Sequence, residues 1–177
     1  MAVELRGATS ALPPLRSTGA VGGDLSHVDQ YGRARIVDIT AKEPSQRRAV
    51  AGCRIDLTRR GAELMRDRLE GTRILDAARI TGVMAGKDTF RLVPLCHQIL
   101  IDNLVVECTL DGSSVEVRVT AESFERTGLE MEALTACTFA ALALVAELGQ
   151  AGHEAVIEGL VVLEKSGGRS GDWRRSS

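Results

Sequence analysis

A long apolar run near the centre of the chain predicts a buried helix over residues 126–148. Between residues 133 and 146 the only polar side chains are two threonines. A helix that is apolar on every side belongs in a protein interior. The run is too short to cross a bilayer, which takes about 20 apolar residues. Thr127 followed by Glu130 has the spacing of a capping box, so we expect this pair to start the helix.

The rest of the pattern predicts a sequence of strands and helices on both sides of this central helix. Period-two runs predict strands, and spacings of three and four predict helices. Gly71 is expected to end the first helix, and Asp111-Gly112 predicts a tight hairpin. Strands are expected at 34–39, 48–57, 99–110, 114–124 and 155–163, and helices at 58–69 and 74–89. This order favours an α+β fold, a mostly antiparallel sheet with helices packed on one face.

Composition places the chain among globular proteins with one domain. The 177 residues include 44% hydrophobic and 26% charged side chains, with a net charge of -2, which gives no indication of nucleic-acid binding. No membrane segment or signal peptide is predicted. Four cysteines without metal-type spacing predict reduced thiols, no bound metal and a cytoplasmic location. We expect residues 1–24 to be a disordered tail, 25–168 the domain, and 169–177 a C-terminal tail.

Two stretches contain side chains suited to acid–base chemistry. His97, in the turn Pro-Leu-Cys-His, is the residue type best suited to proton transfer near neutral pH, but a structural histidine fits the pattern as well. Cys96 beside it is interpreted as a buried thiol rather than a nucleophile. Glu130 and Glu132 begin the central helix, at its positive end. They are candidates for catalysis, with simple stabilisation of the helix as the alternative.

Two further stretches carry cations that could meet phosphate. Arg79 and Lys87 are eight residues apart on one predicted helix and therefore lie near one face; both could equally be solvated. Residues 165–171, Lys-Ser-Gly-Gly-Arg-Ser-Gly, combine cations with glycines that permit close approach of the backbone to a ligand. A flexible basic tail is the alternative for this second stretch.

Four long motifs together resemble one protein family. They are IVDITAK at 36–42, ARITGVMAGKDTFRLVPLCHQ at 78–98, RTGLEMEALTACTFAALAL at 126–144, and EKSGGRSGDW at 164–173. In this order they resemble the cyclic pyranopterin monophosphate synthases of molybdenum cofactor biosynthesis, the MoaC family. The resemblance runs from about residue 25 to 173.

The resemblance implies a ferredoxin-like fold and a hexamer built as a trimer of dimers, with each active site at a dimer interface. It implies a nucleotide triphosphate substrate, (8S)-3′,8-cyclo-7,8-dihydroguanosine 5′-triphosphate. This substrate is converted to cyclic pyranopterin monophosphate and pyrophosphate, and no cofactor is expected.

Matching the motifs residue by residue implies a set of site residues. Catalysis is assigned to His97, Glu130, Glu132 and Lys87. Substrate binding is assigned to Leu95, Cys96, His97, Met131, Glu132, Arg47, Arg73 and Lys165. Arg73 is included because it is the cation nearest to a family lysine that is missing here.

Three positions depart from the family pattern. An aspartate and a lysine that the family uses in catalysis fall on Ala146 and Gly149, and a second catalytic lysine falls on Gly71. Arginine can bind a triphosphate in place of lysine, but it stays protonated and does not readily transfer protons.

Two hypotheses follow from these departures. The first is an enzyme acting on the family substrate or on a related nucleotide. The second is a catalytically impaired paralogue that binds nucleotide or pairs with an active relative. If the site has kept its binding turns and lost its proton-transfer groups, restoring them with Ala146→Asp, Gly149→Lys and Gly71→Lys is expected to raise the ordinary activity.

Overall fold

The computed structural model describes His27, Tyr31, and residues 33–168 and 171–176. The predicted disordered tail at 1–24 lies outside these residues. The strands are β1 (Ser45–Asp56), β2 (Asn103–Asp111), β3 (Ser114–Glu125), β4 (Val156–Ser166) and β5 (Trp173–Arg174). The α-helices are α1 (Arg59–Arg66), α2 (Arg68–Lys87), α3 (Thr89–Leu92) and α4 (Glu130–Glu147), and a 3-10 turn follows at Gly149–Gly152.

The strands form one antiparallel sheet with the order β2-β3-β1-β4-β5. The first four strands, with α2 between β1 and β2 and α4 between β3 and β4, follow the ferredoxin-like β-α-β-β-α-β pattern. The predicted α+β class and the ferredoxin-like fold are therefore confirmed. The predicted hairpin is also confirmed, because Asp111 pairs with Ser114 across a two-residue turn.

The core lies between the sheet and the two long helices. It is built from the inward side chains of β1 and β3 and from an α4 face rich in alanine. A Cβ added to Gly82 of α2 would lie 2.9 Å from the Ala136 carbonyl oxygen and 3.1 Å from the Ala140 Cβ. Small residues on both helices thus allow α2 and α4 to touch.

Several local predictions are wrong. Residues 34–39 form no strand apart from a bridge at Ala34, and β2 begins at Asn103 rather than near 99. The first predicted helix ends at Arg66, where Asp67 caps the start of α2 through the backbone N–H groups of residues 69 and 70. Gly71, expected to end a helix, lies inside α2. The boundary between α1 and α2 falls instead at Asp67, whose side chain accepts hydrogen bonds from the first turn of α2.

The predicted capping box at the start of α4 is also wrong. The cap residue is Leu129, and no side chain caps the helix. The Glu130 side chain instead forms an ion pair with Lys165, 3.5 Å from nitrogen to oxygen. Glu130 therefore contacts a distant strand, where the capping box predicted a contact within its own first turn. Within the described residues, no helix is long and apolar enough to span a membrane.

Candidate active site

The antiparallel register brings the candidate residues to one end of the sheet. Arg48 at the start of β1 pairs with Ser166 at the end of β4. Ser45 pairs with Glu125 at the end of β3, which leads directly into α4. Hydrogen bonds fasten the segment before β2 at the same end: Leu100 N–H donates to the Glu125 carboxylate at 3.2 Å, and Phe124 N–H donates to Asp102 at 2.8 Å. Four distant stretches of chain therefore meet.

A cavity of about 960 Å³ opens where these stretches meet. It is large enough for a drug-sized or nucleotide-sized ligand. Its walls carry positive and negative side chains in nearly equal number. The cations are Lys42, Arg47, Arg48, Arg126 and Lys165, the carboxylates are Asp38, Glu43, Glu130 and Glu132, and the two histidines are His27 and His97.

The turn at residues 95–97 forms one wall of the cavity. Leu95 has a φ of +66°, and it is the one non-glycine residue of the described chain with a positive φ. A bulky residue in this conformation costs free energy and is held there by its surroundings. Such strain is frequent at functional sites. It turns the chain so that Leu95, Cys96 and His97 all line the cavity.

The first turn of α4 also lines the cavity, beside the turn at residues 95–97, and carries a perturbed carboxyl group. Glu132 is only 5% exposed. Burial raises the pKa of Glu132 to about 7, its own backbone N–H opposes this rise, and the Glu130 carboxylate adds to it. A carboxyl group with a pKa near the ambient pH can either give or accept a proton. Glu132 is thus suited to acid–base work.

The Cys96 thiol lies close enough to the Glu132 carboxylate for that charge to affect its pKa. Burial, and then the charge of Glu132, raise the pKa of the Cys96 thiol. A thiol with a raised pKa is protonated at neutral pH and is a poor nucleophile. The raised pKa makes Cys96 a poor nucleophile at neutral pH. Its side chain is half-buried, not fully buried as expected from the sequence.

Arg47 and the end of β4 form a basic corner of the cavity. The Arg47 guanidinium donates to the carbonyl oxygens of Glu125 at 3.2 Å and of Arg126 at 3.4 Å. In this position the Arg47 guanidinium lies against Gly168, where an added Cβ would overlap it. Gly167 and Gly168 both have positive φ values, which glycine adopts without strain. The predicted glycine-rich stretch thus contributes Lys165, Gly167 and Gly168 to the cavity.

Most of the predicted site residues meet in this cavity. Leu95, Cys96, His97, Met131, Glu130, Glu132, Arg47 and Lys165 all line it. Lys87 lines a narrow crevice behind it, and this crevice shares His97 and Glu132 with the cavity. Arg79 points elsewhere, with its guanidinium bonded to Asp76 and to the carbonyl oxygen of Cys108.

Arg73 and the three departing positions lie at the other end of α4. Arg73 is ion-paired with Glu147 and, at 3.1 Å, with Glu70. Ala146 is sixteen residues along the helix from Glu130, which corresponds to about 24 Å. Arg73 and Ala146 therefore do not reach the cavity of their own chain.

Several cavity residues were not identified from the sequence as site residues. They are His27, Asp38, Lys42, Glu43, Arg48 and Arg126. Asp38 and Lys42 belong to the motif at 36–42, one of the four that resemble the family. The strand predicted for residues 34–39 gave no reason to expect these side chains in a cavity. Arg48 and Arg126 lie in sequence patterns typical of a strand and a loop. Such patterns do not distinguish an arginine exposed to solvent from one that faces a ligand.

The raised pKa of Glu132 predicts a pH-dependent stability. An unfolded glutamate titrates near 4.3, so between about pH 4.3 and 7 the folded state holds a proton that the unfolded state has lost. The free energy of unfolding therefore falls as pH rises through this window. Glu132→Gln should remove this loss and raise stability at pH 8 by about 1–3 kcal/mol, with little gain at pH 4.5.

Denaturant unfolding at pH 4.5 and pH 8 measures this difference. Glu154→Gln, on an exposed side chain outside the cavity, is the matched control and should change neither value. Parallel profiles for the unaltered protein and Glu132→Gln would show that the Glu132 carboxyl is not buried as described.

These features together define a class of protein: a ferredoxin-like domain with a cavity that combines acid–base groups and a basic corner suited to an anion. Comparison with known proteins gives the family. The MoaC family profile matches residues 36–168, which is three quarters of the chain. The chain belongs to the MoaC family.

Curated relatives support this assignment over nearly the full length. A protein of Streptomyces avermitilis named cyclic pyranopterin monophosphate synthase is 39% identical, with 99% of this chain and 100% of the relative covered. Cyclic pyranopterin monophosphate synthase 2 of Mycobacterium bovis is 40% identical, covering 90% of this chain and 98% of the relative. A synthase of the same name from Thermomicrobium roseum is 38% identical over 86% and 93%.

Proposed function

We propose that this protein is a lyase of molybdenum cofactor biosynthesis. It converts (8S)-3′,8-cyclo-7,8-dihydroguanosine 5′-triphosphate, or a closely related nucleotide, to cyclic pyranopterin monophosphate and pyrophosphate. The observation that carries the proposal is the convergence of His97, Glu130, Glu132, Arg47 and Lys165 on one cavity. The names of the curated relatives agree with it.

The two walls of the cavity suggest a division of roles. The basic corner around Arg47 and Lys165 suits the triphosphate, because arginine binds phosphate oxygens through two parallel hydrogen bonds. His97 and Glu132 face the remainder of the cavity, where the ring system would lie. The Glu132 carboxyl, whose pKa burial raises to about 7, can give or accept a proton there, and His97 lies beside it as a second candidate for proton transfer.

We propose further that the protein assembles into a hexamer, a trimer of dimers, in the cytoplasm. Exposed apolar side chains on α2 support assembly: Leu69 is 77% exposed, Ile80 61% and Met84 63%. Surfaces of this kind are often covered by a partner. The four free cysteines fit a reducing compartment.

A second candidate function is a binding-competent subunit with impaired chemistry. The local structure at the departing positions favours it. An added Cβ at Gly71 would overlap the Met65 carbonyl oxygen, and Gly149 has a φ of +55°. The backbone at these two positions therefore suits glycine and disfavours lysine.

Incubating the purified protein with the cyclised GTP derivative distinguishes the candidates. We expect binding by calorimetry, with product formation at least about 100-fold slower than that of a relative that has both lysines and the aspartate. The expected loss follows from acid–base groups that each supply about 10²–10⁴-fold, combined non-additively. Absence of binding would refute both candidates, and a rate equal to the relative's would refute impaired chemistry.

A mixing experiment tests the subunit hypothesis directly. The protein is co-expressed with a complete relative whose own cavity histidine is replaced by alanine. If the mixed oligomer is active while neither chain is active alone, this chain supplies a functional cavity to the mixed oligomer. A His97→Ala version of this chain in the same mixture is the matched control and should give no activity.

A further inference from the structure

Two buried thiols meet in the core between the sheet and α4. Cys53 is on the inner face of β1 and is 7% exposed, and Cys137 is on α4 and is fully buried. The Cys137 Sγ donates a hydrogen bond to the Cys53 Sγ, with 3.3 Å between the two sulfurs. It also lies 3.9 Å from the carbonyl oxygen of Val117. Neither cysteine lines the cavity described above.

The packing around the pair explains how two elements so distant in sequence bring their sulfurs together. The neighbours of Cys53 on the inner face include Ala49 and Ala51, and the buried face of α4 includes Ala133 and Ala140. Alanine side chains let the helix lie close to the sheet. The two cysteines then face each other without a larger side chain between them.

We propose that Cys53 and Cys137 are a redox modification site, which a two-electron oxidant such as hydrogen peroxide converts to a reversible disulfide joining β1 to α4. The geometry carries this inference, because the sulfurs are already neighbours and need to approach by only about 1.3 Å to reach the bond length of about 2.0 Å. The proposal does not depend on the proposed function.

The reaction balances in two steps. The Cys53 sulfur attacks one peroxide oxygen, the O–O bond breaks, and sulfenic acid and one water form. The Cys137 sulfur then attacks the Cys53 sulfur, the S–O bond breaks, and a second water leaves with the thiol proton. Two thiols are oxidised by two electrons, and one peroxide is reduced to two waters.

The electrostatics of the pair favour Cys53 as the first thiol to react. The hydrogen bond from Cys137 lowers the pKa of Cys53, against the opposing effect of burial. The same bond, followed by burial, raises the pKa of Cys137. Burial raises the pKa of the third core cysteine, Cys108, to about 11. The thiolate is the reactive form, so Cys53 is the favoured site of attack.

A disulfide here would fasten together two elements that build the cavity. Arg47 lies on β1, the strand of Cys53, and Glu132 lies on α4, the helix of Cys137. The disulfide would therefore restrict movement of the basic corner relative to the part of the cavity that carries Glu132. It would also close a loop between positions 84 residues apart, which restricts the unfolded chain.

Peptide mapping after peroxide treatment of the native full chain tests the proposal. Trypsin releases Cys53 in peptide 49–54 and Cys137 in peptide 127–165, while Cys96 and Cys108 share peptide 92–118. We expect the first two peptides to appear joined, with free thiols falling from four to two in the unfolded protein. Dithiothreitol should restore all four.

Matched variants identify the pair. Cys108→Ser should still form the disulfide, and Cys137→Ser should not. In the unaltered protein, oxidation should raise the guanidinium chloride midpoint by about 1 M, whereas Cys137→Ser should show no rise. Four remaining free thiols, or a link from peptide 49–54 to 92–118, would overturn the proposal.

Discussion

Replacing His97 with alanine is expected to lower product formation by about 10²–10⁴-fold while changing the melting temperature little. His97 is half-buried and lies in both the cavity and the crevice behind it, beside Glu132. It follows the strained turn at Leu95 and is not among the core residues. Its removal therefore deletes a proton-transfer group without opening a hole among the large buried side chains.

Gln98→Ala is the matched control, since Gln98 is exposed in the same segment and does not line the cavity. It should leave both rate and melting temperature near those of the unaltered protein. Product formation is measured with the cyclised GTP derivative, and unfolding by calorimetry. A large fall in melting temperature with unchanged ligand binding would assign His97 a structural role instead.

Gly71→Lys is expected to destabilise the protein by about 2–4 kcal/mol. Gly71 is buried in the first turns of α2, and any Cβ there overlaps the carbonyl oxygen of Met65 on α1. Backbone has to move to make room, and the connection between the two helices is short because Asp67 caps α2 directly after α1. Lysine would also place a charge against a buried surface.

Thr72→Lys is the control, because Thr72 is exposed and the same charge there meets no backbone. It should cost less than about 1 kcal/mol. Gly149→Lys should fall between the two, at about 1–2 kcal/mol, because an added Cβ meets open space but the φ of +55° is unfavourable for lysine. Equal stability of Gly71→Lys and Thr72→Lys in denaturant would contradict the close contact with Met65.

This result bears on restoring the family's catalytic residues. Sequence comparison suggests inserting all three, but the backbone resists two of them. Ala146 is exposed on a regular helix and accepts aspartate readily. Loss of activity in a variant carrying Gly71→Lys would therefore report a damaged fold, so each restored variant needs its own measurement of stability.

Much of the fold was predictable from the sequence, because short-range patterns determine it. Alternating valines predict β3, the apolar run predicts α4, and Asp111-Gly112 predicts the hairpin between β2 and β3. These signals depend on residues within a few positions of each other, and tertiary contacts agree with them. The motifs that line the cavity were also recognisable, since they resemble one family over long stretches.

Tertiary structure alone decided what the local patterns left ambiguous. The cap position of α4 is Leu129 rather than Thr127, and Glu130 contacts Lys165 of a distant strand instead of a group in its own first turn. The raised pKa of Glu132 comes from burial by other parts of the chain, and the meeting of the Cys53 and Cys137 sulfurs comes from packing between β1 and α4. Burial and contact depend on which distant segments lie alongside each other. The antiparallel register that aligns these segments exists only once the whole sheet is formed.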